Sequence, residues 1–281
     1  MHKVKSVTAM AVLLGAGLAL GACTTESTTK DVMKHPYKEV WSGYSTATPE
    51  TRAMQDDDFA NPYMPYVDAA AELWDTPAGE AKKSCADCHG APDDAKGGSM
   101  GIPMKGVGAK YPAYDPESHG PINVELRIQK CQTDHQKAKP FKYESDELLG
   151  MTGLVVMQSR GMKRETKAAE QSDPLYPAWL QGKAFYYQRR GQLDLACKHC
   201  HEDNAAILVR AELLSQGQSN GFPTYRLKWQ KPGSLHRRFR GCNNNIRSEP
   251  YAFGSDEYLA LETYLAWRGR GLPIEGPSVR K

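Results

Sequence analysis

The chain has 281 residues, a quarter of them charged, and a formal net charge of +3 at pH 7. This length allows one or two domains with buried cores. Because the charges nearly balance, the composition indicates neither a nucleic-acid partner nor a polybasic surface that binds membranes.

The N-terminus has the pattern of a secretory signal peptide. Basic residues precede an apolar run over residues 9–20 that ends in small residues, and we predict that residues 1–22 are removed on export to the periplasm. The run is short for a transmembrane helix, and no later segment approaches about 20 apolar residues. Residues 20–23 also fit a bacterial lipobox, in which Cys23 would become a lipidated N-terminus, and ordinary cleavage nearby fits equally well.

Two C-x-x-C-H motifs, at residues 85–89 and 197–201, are typical of covalent haem attachment. In such a motif two thiols bond to one porphyrin, and the adjacent histidine becomes the proximal ligand of the iron. The motifs therefore predict two haem c groups. The attaching thiols would be Cys85, Cys88, Cys197 and Cys200, and the proximal ligands His89 and His201.

A zinc site is the alternative interpretation of these cysteines. It would assemble four thiolates from the two C-x-x-C pairs. In exported proteins such thiols are usually oxidised or bonded to haem, so we favour haem.

The sequence around the two motifs is an internal repeat. Residues 111–114 correspond to residues 222–225 at an offset of 111, and Ser-Asp-Glu occurs at both 145–147 and 255–257. The repeat also aligns Arg127 with Arg238 and Cys131 with Cys242. One haem motif in each copy predicts a tandem duplication of a haem domain.

A helical segment precedes each motif. It covers residues 69–74 in the first copy and residues 179–190 in the second. Gly79 and Gly191 each stand six residues ahead of the first thiol. The two copies therefore enter their haem motifs in the same way.

An apolar helix is predicted at the end of each copy. Ser145 and Ser255 are the expected N-caps, with acidic residues in the first turn, and the helices should end near Gly161 and Gly271. The predicted fold is mainly α, with two tandem class I cytochrome c-like domains related by pseudo-symmetry.

The predicted domains have definite limits. The first haem domain covers residues 37–163, and the second covers residues 178–275. Residues 164–177 are polar and contain proline, so we predict that they are a linker.

A low-spin haem needs a sixth ligand, usually methionine or histidine, and the second copy offers few candidates. No methionine follows Met162. The only histidine after the second motif is His236, whose counterpart in the first copy is Glu125. The repeat instead supports Cys131 and Cys242, the two cysteines that the motifs leave over in the predicted mature chain.

Both of these cysteines are expected on the apolar face of a short helix, turned toward the haem. An i, i+4, i+7 spacing relates Val124, Ile128 and Cys131 in the first copy, and Leu235, Phe239 and Cys242 in the second. We therefore predict that Cys131 and Cys242 are axial ligands of the haem irons. Arg127 and Arg238, four residues earlier, share that face.

Two alternatives stay open for these cysteines. They could form a disulfide with each other, which would require equivalent points of the two domains to meet at the interface. In the first domain a methionine could take the place of Cys131 as ligand. The candidates are Met100, Met104, Met151, Met157 and Met162.

Several long runs in the chain are more specific. They are QDDDFANP at 55–62, GQL at 191–193, GFPTYRLKWQ at 221–230, GSL at 233–235, RRFRGC at 237–242 and EPY at 249–251. In this order they closely resemble the SoxA family, the dihaem subunits of SoxAX cytochromes. The likeness covers roughly residues 37 to 273.

The resemblance implies an L-cysteine S-thiosulfotransferase, which oxidatively joins thiosulfate to a cysteine of the carrier SoxYZ and releases two electrons. It implies a monohaem SoxX partner subunit and a soluble cytochrome c as electron acceptor. In that family both haems have His/Cys ligation, and the cysteine corresponding to Cys242 can carry a persulfide and act as the catalytic residue. The resemblance therefore assigns ligation to Cys131, ligation and catalysis to Cys242, and substrate binding to Arg238.

Chemistry supports the role of Arg238, because a guanidinium matches the oxygens of a dianion such as thiosulfate. A haem-propionate or structural partner is the alternative, since Arg127 stands at the equivalent position. For the whole protein, the alternative is a non-catalytic periplasmic dihaem electron-transfer cytochrome. A peroxidase-type dihaem enzyme would need an open iron site, which a cysteine ligand at position 242 would close.

Overall fold

The computed structural model of the protein describes residues 37–209 and 212–281. The predicted signal peptide, residues 1–22, and Cys23 lie outside the described residues. Within them, no helix is both long enough and apolar enough to cross a membrane.

Helices are the main regular structure of the first copy. They are α1 at Pro49–Asp56, α2 at Met64–Asp75, α3 at Cys85–His89, α4 at Val124–Cys131 and α5 at Asp146–Met157. Short 3-10 turns occur at Gly43–Thr46, Gly98–Met100 and Val107–Lys110, and a π-helical turn at Gln132–Gln136. An antiparallel hairpin of β1, Ala113–Asp115, and β2, Gly120–Ile122, precedes α4.

The second copy repeats this order. Its helices are α6 at Tyr176–Tyr187, α7 at Cys197–His201, α8 at Leu235–Asn245 and α9 at Asp256–Arg268. A short hairpin is formed by β3, Leu208–Val209, and β4, Glu212–Leu213, and the hairpin before α8 is formed by β5, Thr224–Arg226, and β6, Lys231–Gly233. Strand β7, Ser278–Arg280, adds to β5 in parallel. The fold is mainly α, as the sequence predicts.

The predicted helices differ from the observed ones chiefly at their ends. Helix α2 begins five residues before the predicted segment, and α6 covers 176–187 instead of 179–190. Proline in the first turn fixes both starts, because it suits helical dihedral angles and needs no hydrogen-bond partner there. Helix α6 ends early because the backbone of Arg190 pairs with Leu195 across a tight turn.

The long helices α5 and α9 begin as predicted. The hydroxyl oxygens of Ser145 and Ser255 accept hydrogen bonds from the backbone N–H groups of Leu148 and Tyr258. The helices end at Met157 and Arg268, three to four residues before the predicted glycines. The two serine caps therefore fix the first residue of α5 and of α9.

In each copy the helix before the haem motif packs directly on the long last helix. Helix α2 crosses α5 at Gly150, where an added Cβ would lie 2.3 Å from the carbonyl oxygen of Tyr66. Helix α6 crosses α9 at Gly182, where an added Cβ would lie 1.9 Å from the carbonyl oxygen of Ala260. The glycines allow the two backbones to touch, which fixes the frame of each domain.

Replacing Gly182 with Ala should destabilise the protein. The added methyl group would force α6 and α9 apart, and overpacking of this kind costs about 1–3 kcal/mol of the free energy of unfolding. Urea unfolding of the haem-loaded protein, followed by circular dichroism, measures the loss. Gly120→Ala is the control, because its added Cβ meets only an ordinary contact at 3.8 Å. Equal stability of both variants and the parent would contradict the tight crossing.

Residues 164–177, predicted as a linker, are packed into the structure. Ala168, Ala169 and Leu175 are buried. The backbone N–H of Arg164 donates to the carbonyl of Leu272, and the N–H of Gly271 donates to the carbonyl of Arg164. The chain from residue 37 onward belongs to one compact unit, so the domain limits 37–163 and 178–275 stay a prediction.

Polar groups from both copies are buried where the copies meet. Glu125 on α4, Glu262 on α9 and the buried Arg164 line a cavity of about 30 Å³, large enough for a water molecule. Burial, and then the nearby charge of Glu262, raise the pKa of Glu125 to about 8. Glu125 therefore keeps its proton at neutral pH in the folded protein.

The free energy of unfolding should fall as the pH rises from about 5 to 8. In this range folded Glu125 holds a proton that the unfolded chain has released, so each pH unit costs at most about 1.4 kcal/mol. Urea unfolding at several pH values should show this fall in the parent protein and a flatter curve in Glu125→Gln. Glu80→Gln, at an exposed carboxyl, should follow the parent. Parallel curves for the parent and Glu125→Gln would show that Glu125 does not titrate as described.

Candidate haem sites

Each C-x-x-C-H motif forms a one-turn helix with a local cap. In the first copy, Ser84 and Asp87 cap each other: the Asp87 N–H donates to the Ser84 hydroxyl, and the Ser84 N–H donates to the Asp87 carboxylate. In the second copy, Nδ1 of His199 accepts from the Ala196 N–H at 2.9 Å. In both copies the two cysteines and the final histidine of the motif therefore lie on one short helix.

A glycine turn brings each motif against the helix that carries the third cysteine. Gly79 has a φ of +63°, and an added Cβ would lie 2.1 Å from the carbonyl oxygen of Gln136. Gly191 has a φ of +69°, and its added Cβ would lie 2.2 Å from the carbonyl oxygen of Ile246. The positive φ and the close approach both require glycine at these positions.

The two motif histidines have one ring nitrogen engaged. Nδ1 of His201 lies 2.8 Å from the carbonyl oxygen of Ser215, and Nδ1 of His89 lies 3.4 Å from that of Ile102. A carbonyl can only accept, so Nδ1 is the donor in each contact, and Nε2 is left for another partner. This is the orientation of a histidine that ligates a metal through Nε2.

The two cysteines outside the motifs lie in separate sites and are free. Cys131 is close enough to Cys85 for the thiolate charges to raise the pKa of Cys85, and Cys242 affects Cys197 and Cys200 in the same way, each time after the larger effect of burial. The alternative of a Cys131–Cys242 disulfide is therefore wrong in this structure.

The residues around the second motif fit a covalently attached haem. Cys197, Cys200, His201 and Cys242 line one cavity of about 330 Å³. His201 also hydrogen-bonds to the Cys242 thiol, so an imidazole and a sulfur face each other across this space. A six-coordinate haem c needs two thiols for attachment to the porphyrin and two axial donors for the iron, for which an imidazole nitrogen and a further sulfur are present here.

Several of the other candidate ligands lie in different surroundings. His236 is fully buried; its Nδ1 accepts from the Gly254 N–H at 3.0 Å, and its Nε2 lies 3.1 Å from a carboxylate oxygen of Glu262. Met104 and Met151 belong to the hydrophobic core of the first copy, and Met100 is half exposed.

The two cysteines differ in acidity. Burial raises the pKa of Cys131, and the charge of Arg127 only partly opposes it. Burial also acts on Cys242, but the charges of Arg238 and Arg226 and the hydrogen bond from His201 outweigh it and lower its pKa to about 7. The second site therefore favours an anionic sulfur.

Arg127 and Arg238 differ in whether an acidic side chain pairs with them. Arg127 forms an ion pair with Asp115, with 3.1 Å between Nη2 and Oδ1. Arg238 lines the cavity with Cys242, and no ion pair of Arg238 occurs in the described part of the chain. The alternative role as a structural ion-pair partner, considered above for Arg238, therefore suits Arg127.

The prediction from sequence missed Arg226, which lines the same cavity as Cys242. Its signal was present in the repeat, because Arg226 stands where the first copy has Asp115.

Comparison with known proteins shows the family of this chain. The family model described as SoxA/TsdA, cytochrome c domain, matches residues 69–164 and 181–274. The chain belongs to the SoxA/TsdA cytochrome c family. Its two matched segments confirm two cytochrome c-like domains, and haem c is the cofactor of this kind of domain.

Individual SoxA relatives match nearly the whole chain. The L-cysteine S-thiosulfotransferase subunit SoxA of Pseudaminobacter salicylatoxidans is 45% identical over 250 residues, covering 88% of this chain and 83% of that protein. The same subunit of Rhodovulum sulfidophilum is 43% identical over 245 residues, covering 87% and 81%. The crystal structure of SoxXA from Paracoccus pantotrophus matches with a TM-score of 0.80 and 39% identity, covering 88% of this chain and 89% of that one. These matches confirm the resemblance to SoxA.

Proposed function

We propose that this protein is the dihaem cytochrome subunit of a thiosulfate-oxidising complex and acts as an L-cysteine S-thiosulfotransferase. Relatives that match more than four-fifths of the chain are named L-cysteine S-thiosulfotransferase subunit SoxA. The observation that carries the proposal is the placement of Cys242, which shares one cavity with the motif histidine and with Arg238.

Two haem c groups are proposed, one for each motif. Cys85 and Cys88 attach the first, with His89 and Cys131 as axial ligands. Cys197 and Cys200 attach the second, with His201 and Cys242 as axial ligands. The matching histidine orientations and the separate positions of the two free cysteines support this assignment.

The proposed reaction joins thiosulfate to a cysteine of a SoxYZ-like carrier. The carrier thiol and thiosulfate form a sulfur–sulfur bond, giving the thiosulfonate-capped cysteine, one proton and two electrons. Bound haem supplies the capacity to take up electrons. The guanidinium of Arg238 binds the sulfonate oxygens, and the sulfur of Cys242, which can hold a further sulfur as a persulfide, takes part in the exchange of sulfur–sulfur bonds.

The proposed partners follow from the direction of electron flow. A thiolate ligand stabilises ferric haem and lowers its potential, so the second haem is a poor store for electrons. A monohaem SoxX-like subunit would take them on, as the name of the SoxXA structure suggests, and pass them to a soluble cytochrome c. Export of the chain to the periplasm by residues 1–22 belongs to the same proposal.

Replacing Cys242 with Met should abolish conjugation of thiosulfate while both haems stay attached, because attachment depends on other cysteines. The pyridine haemochrome assay counts the haems, and mass spectrometry of the carrier measures conjugation in the complex with the monohaem partner. Cys131→Met is the matched control, since it exchanges the equivalent ligand in the other domain. It should alter the spectrum of the first haem and keep part of the activity.

A dihaem Cys242→Met protein that conjugates thiosulfate at the parental rate would overturn the catalytic role. The protein would then be a dihaem electron-transfer cytochrome, in which Cys242 is a ligand only. A count of one haem in the parent protein would contradict the dihaem proposal.

Replacing Arg238 with Leu should weaken conjugation about 10- to 150-fold, because one charge-assisted hydrogen bond contributes about 1.5–3 kcal/mol. Rates at limiting thiosulfate measure the loss. Arg238→Lys keeps the positive charge and should recover part of the lost conjugation rate. Loss of the second haem from the Leu variant, with normal turnover in the remaining loaded protein, would indicate a haem-propionate role instead.

A further inference from the structure

The loop after β4 lies against the ring of the second motif histidine. Nδ1 of His201 donates to the carbonyl oxygen of Ser215 at 2.8 Å. Gly217, with a φ of +72°, is so close to the ring that an added Cβ would lie 2.9 Å from Cγ of His201. The position of residues 215–217 therefore determines how the imidazole is turned.

A segment that precedes α1, residues 37–41, holds this loop through one side chain. Oε1 of Gln216 accepts from the backbone N–H of Trp41 at 3.0 Å, and Nε2 of Gln216 donates to the carbonyl oxygen of Glu39 at 3.0 Å. Gln216 is buried, so breaking these bonds would leave polar groups unsatisfied away from water.

The same segment also reaches the main chain of His201. The hydroxyl of Tyr37 donates to the carbonyl oxygen of His201, and Nη2 of Arg268, at the end of α9, donates to that hydroxyl at 2.8 Å. Arg268 is fully buried and forms an ion pair with Glu202, the residue after His201. The main chain at the end of the motif is therefore fixed from the 37–41 segment and from α9.

The motif histidine of the first copy has different support. Nδ1 of His89 lies 3.4 Å from the carbonyl oxygen of Ile102, a longer contact than that of His201. Gly90 follows His89, where the second copy has Glu202. A glycine has no carboxylate, so the ion pair beside the motif histidine belongs to the second copy.

We propose that residues 37–41 position the proximal histidine of the second haem, with Tyr37 acting on the main chain of His201 and Gln216 acting on its ring through Ser215. Tyr37 and Gln216 are positioning residues, because neither lines the cavity of the second site. The inference rests on the proposed ligation of that haem by His201. A firm hydrogen bond from Nδ1 to a carbonyl makes the imidazole a stronger donor to iron, which favours ferric haem.

Tyr37→Phe and Gln216→Met are the test variants, and Tyr44→Phe is the control. Tyr37→Phe removes only a hydroxyl, and Gln216→Met keeps an unbranched side chain without the amide. The control removes a hydroxyl that donates to the exposed carboxylate of Asp56. Haem count, electron paramagnetic resonance signals and the potentials of both haems are measured in the full dihaem protein. The Cys131→Met variant identifies the signals of the first haem.

The test variants should keep two haems and alter only the resonance signals of the second. Its potential should rise, because the imidazole is held less firmly. At a fixed applied potential, the ferrous-to-ferric ratio of the second haem should increase about threefold to tenfold, and that of the first haem should stay within about twofold of the parent. Tyr44→Phe should match the parent at both haems. If Gln216→Met does not load haem, Tyr37→Phe decides.

Unchanged signals and potential of the second haem in Tyr37→Phe would overturn the inference, even if the variant were less stable, because the residue would then have a structural role alone. An equal change in Tyr44→Phe, or an equal change at the first haem, would overturn it as well. The expected changes at the second haem, in a parent protein that does not conjugate thiosulfate, would leave the inference standing and refute the transferase function.

Discussion

The close approach of each haem motif to the helix behind it is the constraint on which the two sites depend. A haem with two axial ligands needs its motif histidine and its sixth ligand on opposite sides of one narrow space. Gly79 and Gly191 make this possible, because each lets the turn before the motif lie against backbone at the end of the helix that carries the third cysteine. A side chain at either glycine would push the motif away from Cys131 or Cys242.

The same scaffold supports two chemically different sites. In both copies a motif histidine donates from Nδ1 to a backbone carbonyl, and a free cysteine lies near the attaching thiols. The difference lies in charge around the cysteine: the pKa of Cys131 is raised, whereas that of Cys242 is lowered to about 7. The two copies share the backbone that positions the haem motif and differ in the charged residues around the free cysteine.

Features set by local patterns could be predicted from the sequence. The haem motifs, the serine caps of α5 and α9 and the helices that carry Cys131 and Cys242 depend on short-range spacing and hydrogen bonds. The end of α6 could not be predicted, since it depends on Arg190 pairing with Leu195. The packing of residues 164–177 depends on contacts with Gly271 and Leu272, more than 90 residues away along the chain.

Electrostatics distinguishes the two sites as places for the proposed anionic substrate. A thiolate and a thiosulfate dianion in the same cavity repel each other, and two unit charges 4 Å apart interact by about 4 kcal/mol at an effective dielectric constant of 20. A guanidinium beside the sulfur of Cys242 offsets part of this repulsion. Arg238 lines that cavity and forms no ion pair in the described part of the chain, whereas in the first copy Asp115 cancels the charge of Arg127. Under the proposed function, charge therefore favours the second domain for the anionic substrate, although both domains offer a cysteine sulfur.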